Sequence, residues 1–277
     1  MKYFIHFILI SMFILAGCGA NYQFKKAQRL EKDGYCIEAG VIYETIAKKY
    51  PQSPLAPQAL YRLGSIYQKK LKMYSHAHRY FDELINRYPG SEPWTELGKQ
   101  GLFNSPDYFP MTKGSFWIEG DSVSGGKNMR AEWNCFEVST GTYRIQRRLS
   151  AGARLVMETN RYYRKQNLIL YESQDSRSTD SGAAILSYPF ITGKTWKTVQ
   201  GGRTVVYTII DANVMLNVKA GDFTNCLKIS EEYPDLPGSR KYIYYAPEVG
   251  WVLTTTAGNG GQEHRNTELL SYKINPE

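Results

Sequence analysis

Ala39-Gly40-Val41-Ile42-Tyr43-Glu44-Thr45-Ile46-Ala47-Lys48-Lys49-Tyr50-Pro51-Gln52-Ser53 returns thirty-eight positions later as Ala77-His78-Arg79-Tyr80-Phe81-Asp82-Glu83-Leu84-Ile85-Asn86-Arg87-Tyr88-Pro89-Gly90-Ser91. The correspondence runs Ala39 with Ala77, Tyr43 with Phe81, Ile46 with Leu84, Tyr50-Pro51 with Tyr88-Pro89 and Ser53 with Ser91. The apolar members keep helical spacing. A small Ala lets two helices approach, and an aromatic ring one turn later fills the groove beside it. Pro then ends the helix, because its ring cannot continue the hydrogen-bond ladder. Ala59-Leu60-Tyr61-Arg62-Leu63-Gly64-Ser65-Ile66-Tyr67 supplies a first helix for the second copy, and a stretch from about Tyr22 to Asp33 does so for the first. A helix pair recurring at a fixed period predicts a stack of repeats. A further helix over roughly 93–102 caps it, since an end repeat needs cover for its apolar face.

This pattern resembles the tetratricopeptide repeat in its longer envelope-protein form. The Tyr-Pro-x-Ser endings are similar to those in the lipoprotein subunit of the outer-membrane β-barrel assembly machinery. The resemblance covers about residues 22–91, with two copies where that lipoprotein has more. It implies a helical surface that holds another envelope protein, with Tyr43, Tyr61, Tyr67 and Phe81 as the candidate partner-binding residues.

The start of the chain carries a different signal. After Lys2, an apolar run from Tyr3 to Ala16 ends in Leu15-Ala16-Gly17-Cys18. A basic start, a short apolar run and a small-residue exit form a secretory leader. The run falls short of the ~20 residues that a membrane-spanning helix needs. Cys18 directly after Leu-Ala-Gly resembles the bacterial lipobox, which implies cleavage after residue 17 and lipidation (diacylglyceryl, palmitate) of Cys18. Acyl chains at ~0.8 kcal/mol per buried CH₂ make such an anchor durable. The expected organisation is a signal peptide over 1–17, a lipidated linker over 18–21, helical repeats over 22–105 and a β domain over 106–277. Gly19 after the lipidated Cys resembles the sorting pattern for the outer membrane, so the expected location is that membrane, facing the periplasm.

After Asn104-Ser105-Pro106 helical spacing gives way to alternation, as in Thr142-Tyr143-Arg144-Ile145-Gln146-Arg147 and Leu168-Ile169-Leu170-Tyr171-Glu172. Further strands are expected at Val205–Ile210, Lys241–Tyr245 and Trp251–Thr255. Turns are expected at Ser124-Gly125-Gly126, Gly201-Gly202, Pro237-Gly238 and Gly258-Asn259-Gly260-Gly261. Ten to twelve short strands without intervening helices predict an antiparallel sheet, sandwich or open barrel. A second recurrence lies here: Pro110-x3-Gly114-x2-Trp117 and Pro189-x3-Gly193-x2-Trp196, seventy-nine positions apart. Pro stiffens the approach, Gly permits a bend and Trp plugs the core as a strand begins. The stretches Val218–Ile229 and Tyr244–Val252 resemble a family of bacterial envelope β-domains, a resemblance that spans about 108–275 and brings no activity with it. A strongly curved antiparallel sheet, as in lipoprotein carriers, is the nearest analogy of shape.

A search for chemistry returns little. His6 lies in the leader, and His76 and His78 are two apart on a helix, so they point in different directions. Gly120-Asp121-Ser122-Val123-Ser124 misses the last glycine of a nucleophile elbow. Gly193-Lys194-Thr195 lacks the glycine five positions before it that a phosphate loop requires. Glu231 and Glu232 are adjacent on a strand and face opposite sides. Asp175 and Asp180 fall in a polar loop, and Tyr242, Tyr244 and Tyr245 could stack on a sugar or simply serve the strand. No cofactor or metal is expected. Of the cysteines beyond Cys18, Cys135 and Cys226 could pair in an oxidising compartment or sit apart as small core residues.

The net charge of +8 is uneven: from Gly19 to Ser105 there are 13 Lys and Arg against 8 Asp and Glu, and from Pro106 onward 20 against 18. Lys25, Lys26 and Arg29 follow the anchor closely enough to meet anionic headgroups. An exported chain rarely meets nucleic acid, so none is expected as a partner. The expected function is a membrane-anchored scaffold for protein interactions in the envelope, not an enzyme. An apolar-ligand carrier using the concave β domain is the alternative, and an enzyme of cell-wall polymer comes third.

Overall fold

The computed structural model describes residues 19–176, 182–258 and 261–276. The leader, Cys18, Asp180 and Asn259-Gly260 lie outside them. The chain divides after Ser105 into two compact units.

The first unit is helical, with α1 over 19–32, α2 Cys36–Lys49, α3 Leu55–Ser65, α4 Tyr74–Arg87 and α5 Trp94–Phe103. A π-helical turn, Ile66–Lys70, extends α3. The two sequence copies become α2 and α4, and their ends match bond for bond. The Tyr50 N–H donates to Ile46 O and the Tyr88 N–H to Leu84 O, and the Ser53 and Ser91 N–H groups close the following turns onto Tyr50 O and Tyr88 O. The core repeats too: Ala39, Tyr43 and Ile46 of α2 and Ala77, Phe81 and Leu84 of α4 have essentially no exposed surface.

Phe81 is the most tightly held of these. A Cβ added at Gly64 of α3 would sit 2.6 Å from its Cε1, and one added at Gly101 of α5 would sit 2.4 Å from its Cζ. Two glycines therefore let two helices close on one ring. Buried Gln68 ties the π turn to the end of α5, donating to Gly101 O at 3.2 Å and Asn104 O at 2.7 Å.

The second unit is an antiparallel sheet of twelve strands among the described residues: β1 Phe116–Asp121, β2 Met129–Ser139, β3 Thr142–Ala151, β4 Arg154–Gln166, β5 Ile169–Ser173, β6 Ala183–Ser187, β7 Thr195–Gln200, β8 Arg203–Val218, β9 Gly221–Glu232, β10 Arg240–Ala246, β11 Gly250–Ala257 and β12 Glu263–Lys273. The order is β6-β5-β4-β3-β2-β1-β12-β11-β10-β9-β8-β7, two six-stranded meanders joined by the β1–β12 pair. The sheet curls into a nearly closed barrel. At its seam β6 and β7 share no backbone ladder. Side chains bridge them instead: the Ala184 N–H donates to Thr198 Oγ1 at 2.9 Å, and Trp196 Nε1–H donates to Ala184 O at 2.9 Å.

The Pro-Gly-Trp recurrence opens each meander. Gly114 and Gly193 hold φ of +82° and +88°, in the left-handed region that favours glycine, and each donates its N–H to the next strand, to Cys135 O and Ile209 O. Trp117 and Trp196 follow on β1 and β7. The two-residue turns Gly201-Gly202 and Asn167-Leu168 have positive φ throughout, as primed hairpin turns require. Leu168, read from sequence as the first residue of a strand, thus sits at φ +63° in the turn before β5.

Overpacking at a closed site costs ~1–3 kcal/mol, against about 1 kcal/mol of helix propensity gained when Gly becomes Ala. Gly101→Ala and Gly64→Ala should therefore lower the thermal midpoint of the helical unit. Gly90→Ala, where an added Cβ meets nothing within 4 Å, should leave it unchanged, and calorimetry on the three variants checks this.

Candidate functional site

Alternation along β4 turns Met157, Thr159, Arg161 and Tyr163 to one face, and the same period on the other strands encloses a lumen of about 470 Å³ to which all twelve contribute. Small-molecule sites span ~300–1,000 Å³. The register sets two equivalent rows across the strands. In the first meander Trp117, Trp133, Arg147 and Thr159 lie side by side on β1 to β4. In the second, Trp196, Tyr207, Glu231 and Lys241 do so on β7 to β10. The first Trp of each row packs behind, and the next three residues reach the lumen.

Aromatic rings build the deeper part. Trp251 of β11 is the hub, with ring centroids 4.5 Å from Trp133, 5.2 Å from Trp117 and 5.8 Å from Phe109. Phe109 arrives on the segment before β1. That segment is fastened by Asp107, which accepts from Lys165 Nζ at 2.6 Å, and by Tyr108, whose hydroxyl donates to Asn225 O at 2.9 Å.

Three carboxylates share the lumen with these rings, each already held by protein donors. Glu119 accepts from Arg147 Nη2 at 3.0 Å and from Trp251 Nε1 at 3.3 Å. Glu172 accepts from Tyr163 Oη at 2.8 Å and Gln200 Nε2 at 3.0 Å, with Arg161 Nε 3.7 Å away. Glu231 accepts from Tyr233 Oη at 3.2 Å and lies 3.4 Å from both Lys241 Nζ and Tyr207 Oη. Burial, with the charges of Glu172 and Glu231 close by, drives the Tyr163, Tyr207 and Tyr245 phenols up, so they stay neutral. Two donors remain unused: Trp133 Nε1 and Arg147 Nε are buried without a hydrogen-bond partner, and the Arg147 guanidinium lies 4.9 Å from the Trp133 ring centroid.

The residues singled out in the sequence are scattered. Tyr43 and Phe81 are fully buried, which corrects their reading as partner-binding residues. Their rings fill the helix-packing grooves, and Tyr43 donates to Glu31 at 2.9 Å. Tyr61 and Tyr67 are half-buried. Tyr61 lies 5.6 Å from Trp94, and Tyr67 stacks between His76 and Tyr80 at 5.1 and 5.4 Å. His78 turns away from His76, against the backbone of Leu102 and Ser105. Glu231 faces the lumen while Glu232 meets Arg240 at 3.1 Å outside it. The three tyrosines of β10 split likewise: Tyr245 lines the lumen, whereas the Tyr242 and Tyr244 rings lie 4.3 and 5.6 Å from Lys228 Nζ. The lining thus joins three Glu, two Arg and one Lys to apolar side chains such as Ile145, Ile185 and Ile243.

Comparison with known families matches residues 58–91 to the tetratricopeptide repeat. Among solved structures, a candidate lipoprotein from Parabacteroides distasonis ATCC 8503 is similar over 60% of this chain and 98% of its own, at 15% identity and a TM-score of 0.39. A candidate exported protein with a YmcC-like fold from Bacteroides fragilis NCTC 9343 covers the same shares at 14% identity and a TM-score of 0.40. Comparison with curated proteins gives no match.

Cys36, Cys135 and Cys226 are free thiols, which corrects the reading of Cys135 and Cys226 as a bridge. They sit on β2 and β9 with four strands between them, whereas a disulfide needs Cα atoms within ~7 Å. Burial pushes the Cys135 thiol up to about 12 and that of Cys226 to about 11. In a Cys18→Ser chain, a thiol reagent should modify Cys36 alone in the native state and all three after denaturation. A single reactive thiol in denaturant would restore the bridge.

Proposed function

We propose that the protein is a lipid-anchored scaffold of the cell envelope, held by Cys18 and using its helical repeats to engage another envelope protein. The observation that carries this reading is the pair of consecutive helical repeats, the second of which matches the tetratricopeptide family, whose stacked helix pairs offer surfaces to protein partners. The leader and Cys18 support export and anchoring. The excess of positive charge between Gly19 and Ser105 favours both anionic headgroups and an acidic partner. Gly19 favours the outer membrane with the protein on its periplasmic side, and the Tyr-Pro-x-Ser endings favour a role in envelope assembly. The partner-facing residues are Tyr61 and Tyr67, each half-buried against aromatic neighbours. A binding role is preferred over catalysis because every carboxylate in the lumen already has protein donors.

Two experiments test this. A photo-crosslinking residue at Tyr61 or Tyr67 should yield one discrete adduct in cells, and the same residue at exposed Val123 of the β unit should not. An identical diffuse ladder at all three positions would remove the scaffold reading. Cys18→Ser should move a folded protein from the membrane pellet to the soluble fraction, and a variant that stayed in the pellet would remove the anchor.

A further inference from the structure

We propose that the barrel lumen is a saccharide-binding site that takes one or two uncharged sugar rings. The proposal stands on the lumen alone and needs neither the anchor nor the repeats.

The lumen, at about 470 Å³, is large enough for such a ligand, and exposed Met157 and Lys241 at its rim leave it open to solvent. Its composition selects the chemistry. Trp133, half-buried, and Trp251 and Phe109, 7% and 5% exposed, add aromatic surface with electron-rich ring centres to the lining. These suit the C–H face of a pyranose, whose hydrogens carry partial positive charge. Beside them stand Glu119, Glu172 and Glu231 with Arg147, Arg161 and Lys241. Their protein partners fix them in place, which orients the lone pairs and N–H groups that remain. A hydroxyl both donates and accepts, so a polyhydroxylated ring can answer carboxylate and guanidinium alike.

The same groups argue against other occupants. An acyl chain would cover the lone pairs and N–H groups that these six charged side chains keep open and return no hydrogen bond. A charged ligand gains no net attraction, because the three acids and three bases cancel. The second pointer to a ligand is the pair of idle donors, Trp133 Nε1 and Arg147 Nε, at one place on the wall. Buried donors in folded proteins are almost always satisfied. Both atoms are closed off in the empty lumen, so a ligand oxygen meets them only when the Trp133 and Arg147 side chains shift to admit it.

The test uses the soluble Cys18→Ser chain and its own fluorescence, since Trp117, Trp133, Trp196 and Trp251 all belong to the β unit. The probes are maltose, cellobiose, N,N′-diacetylchitobiose, glucuronate and palmitate, titrated into the millimolar range. At least one neutral disaccharide should give a saturable change that survives addition of palmitate. Trp133→Phe keeps the ring but loses the N–H, and should weaken that binding roughly tenfold, about 1.4 kcal/mol. Arg147→Lys, which loses the planar donor set, should do the same, with circular dichroism confirming that both variants fold. The proposal is overturned if no neutral sugar binds, if glucuronate or palmitate binds more tightly, or if both variants bind as well as the parent.

Discussion

A sheet of twelve strands has two edges, and unpaired edges invite pairing with other chains. Closing the sheet removes that hazard and at the same time turns one face inward, away from bulk water. Almost everything in the β unit follows from that closure. Between β1 and β12 it is made by backbone ladder. At the other junction it is made by Trp196 and Thr198 reaching across to the backbone of Ala184. A residue that begins as a plug for a strand start is thereby also the clasp of the barrel.

The two junctions are equivalent in the plan of the chain, since each joins the first strand of one meander to the last of the other. The recurrence of Pro-x3-Gly-x2-Trp marks that plan. Both glycines adopt positive φ, and both hand an N–H to the following strand. In both halves Trp sits beside an aromatic residue, then an ion, then a polar side chain. The halves differ in sign: Arg147 occupies the third place of one row and Glu231 that of the other. With Glu119, Glu172 and Arg161 beside Arg147, Glu231 and Lys241, the lumen has three acids, three bases and strong local polarity. That combination is why the wall needs so many internal hydrogen bonds.

The helical repeats were legible in the sequence because their determinants are local. Ala, an aromatic and Pro recur at fixed offsets, and each acts within a turn or two of its own position. The roles within the repeat were less legible: Tyr43 and Phe81 recur at the same place in both copies because packing fixes them, and packing hides them from any partner. Strands in the second half were readable from alternation and turn residues. Leu168 misled, because a β-propensity signal gave way to the φ that the hairpin demands. The lumen could not be read. Polar residues on both faces of β4 erase the contrast between inside and outside, and Glu119 of β1 meets Arg147 of β3 only after three strands have paired. What the sequence did carry was the Pro-Gly-Trp device, and Phe109 just before its first copy joins the lining of the lumen once the strands close.

The burial of charge in that lumen bears on why the rings are there. A desolvated ion pair gains little net stability, because stripping water from both partners offsets their attraction. Glu119 is nearly fully buried, and Arg147 is mostly so. The fold tolerates this through donors that cost no extra charge: Trp251 completes Glu119, Tyr163 completes Glu172, and Tyr233 completes Glu231. Each of these donors is aromatic, so one side chain both fills volume and satisfies a lone pair. A barrel stabilised by burial alone could have used Leu and Ile at these positions with fewer conditions to meet. Three carboxylates are retained inside instead, and each meets the condition that a buried polar group have its partners through its own set of donors.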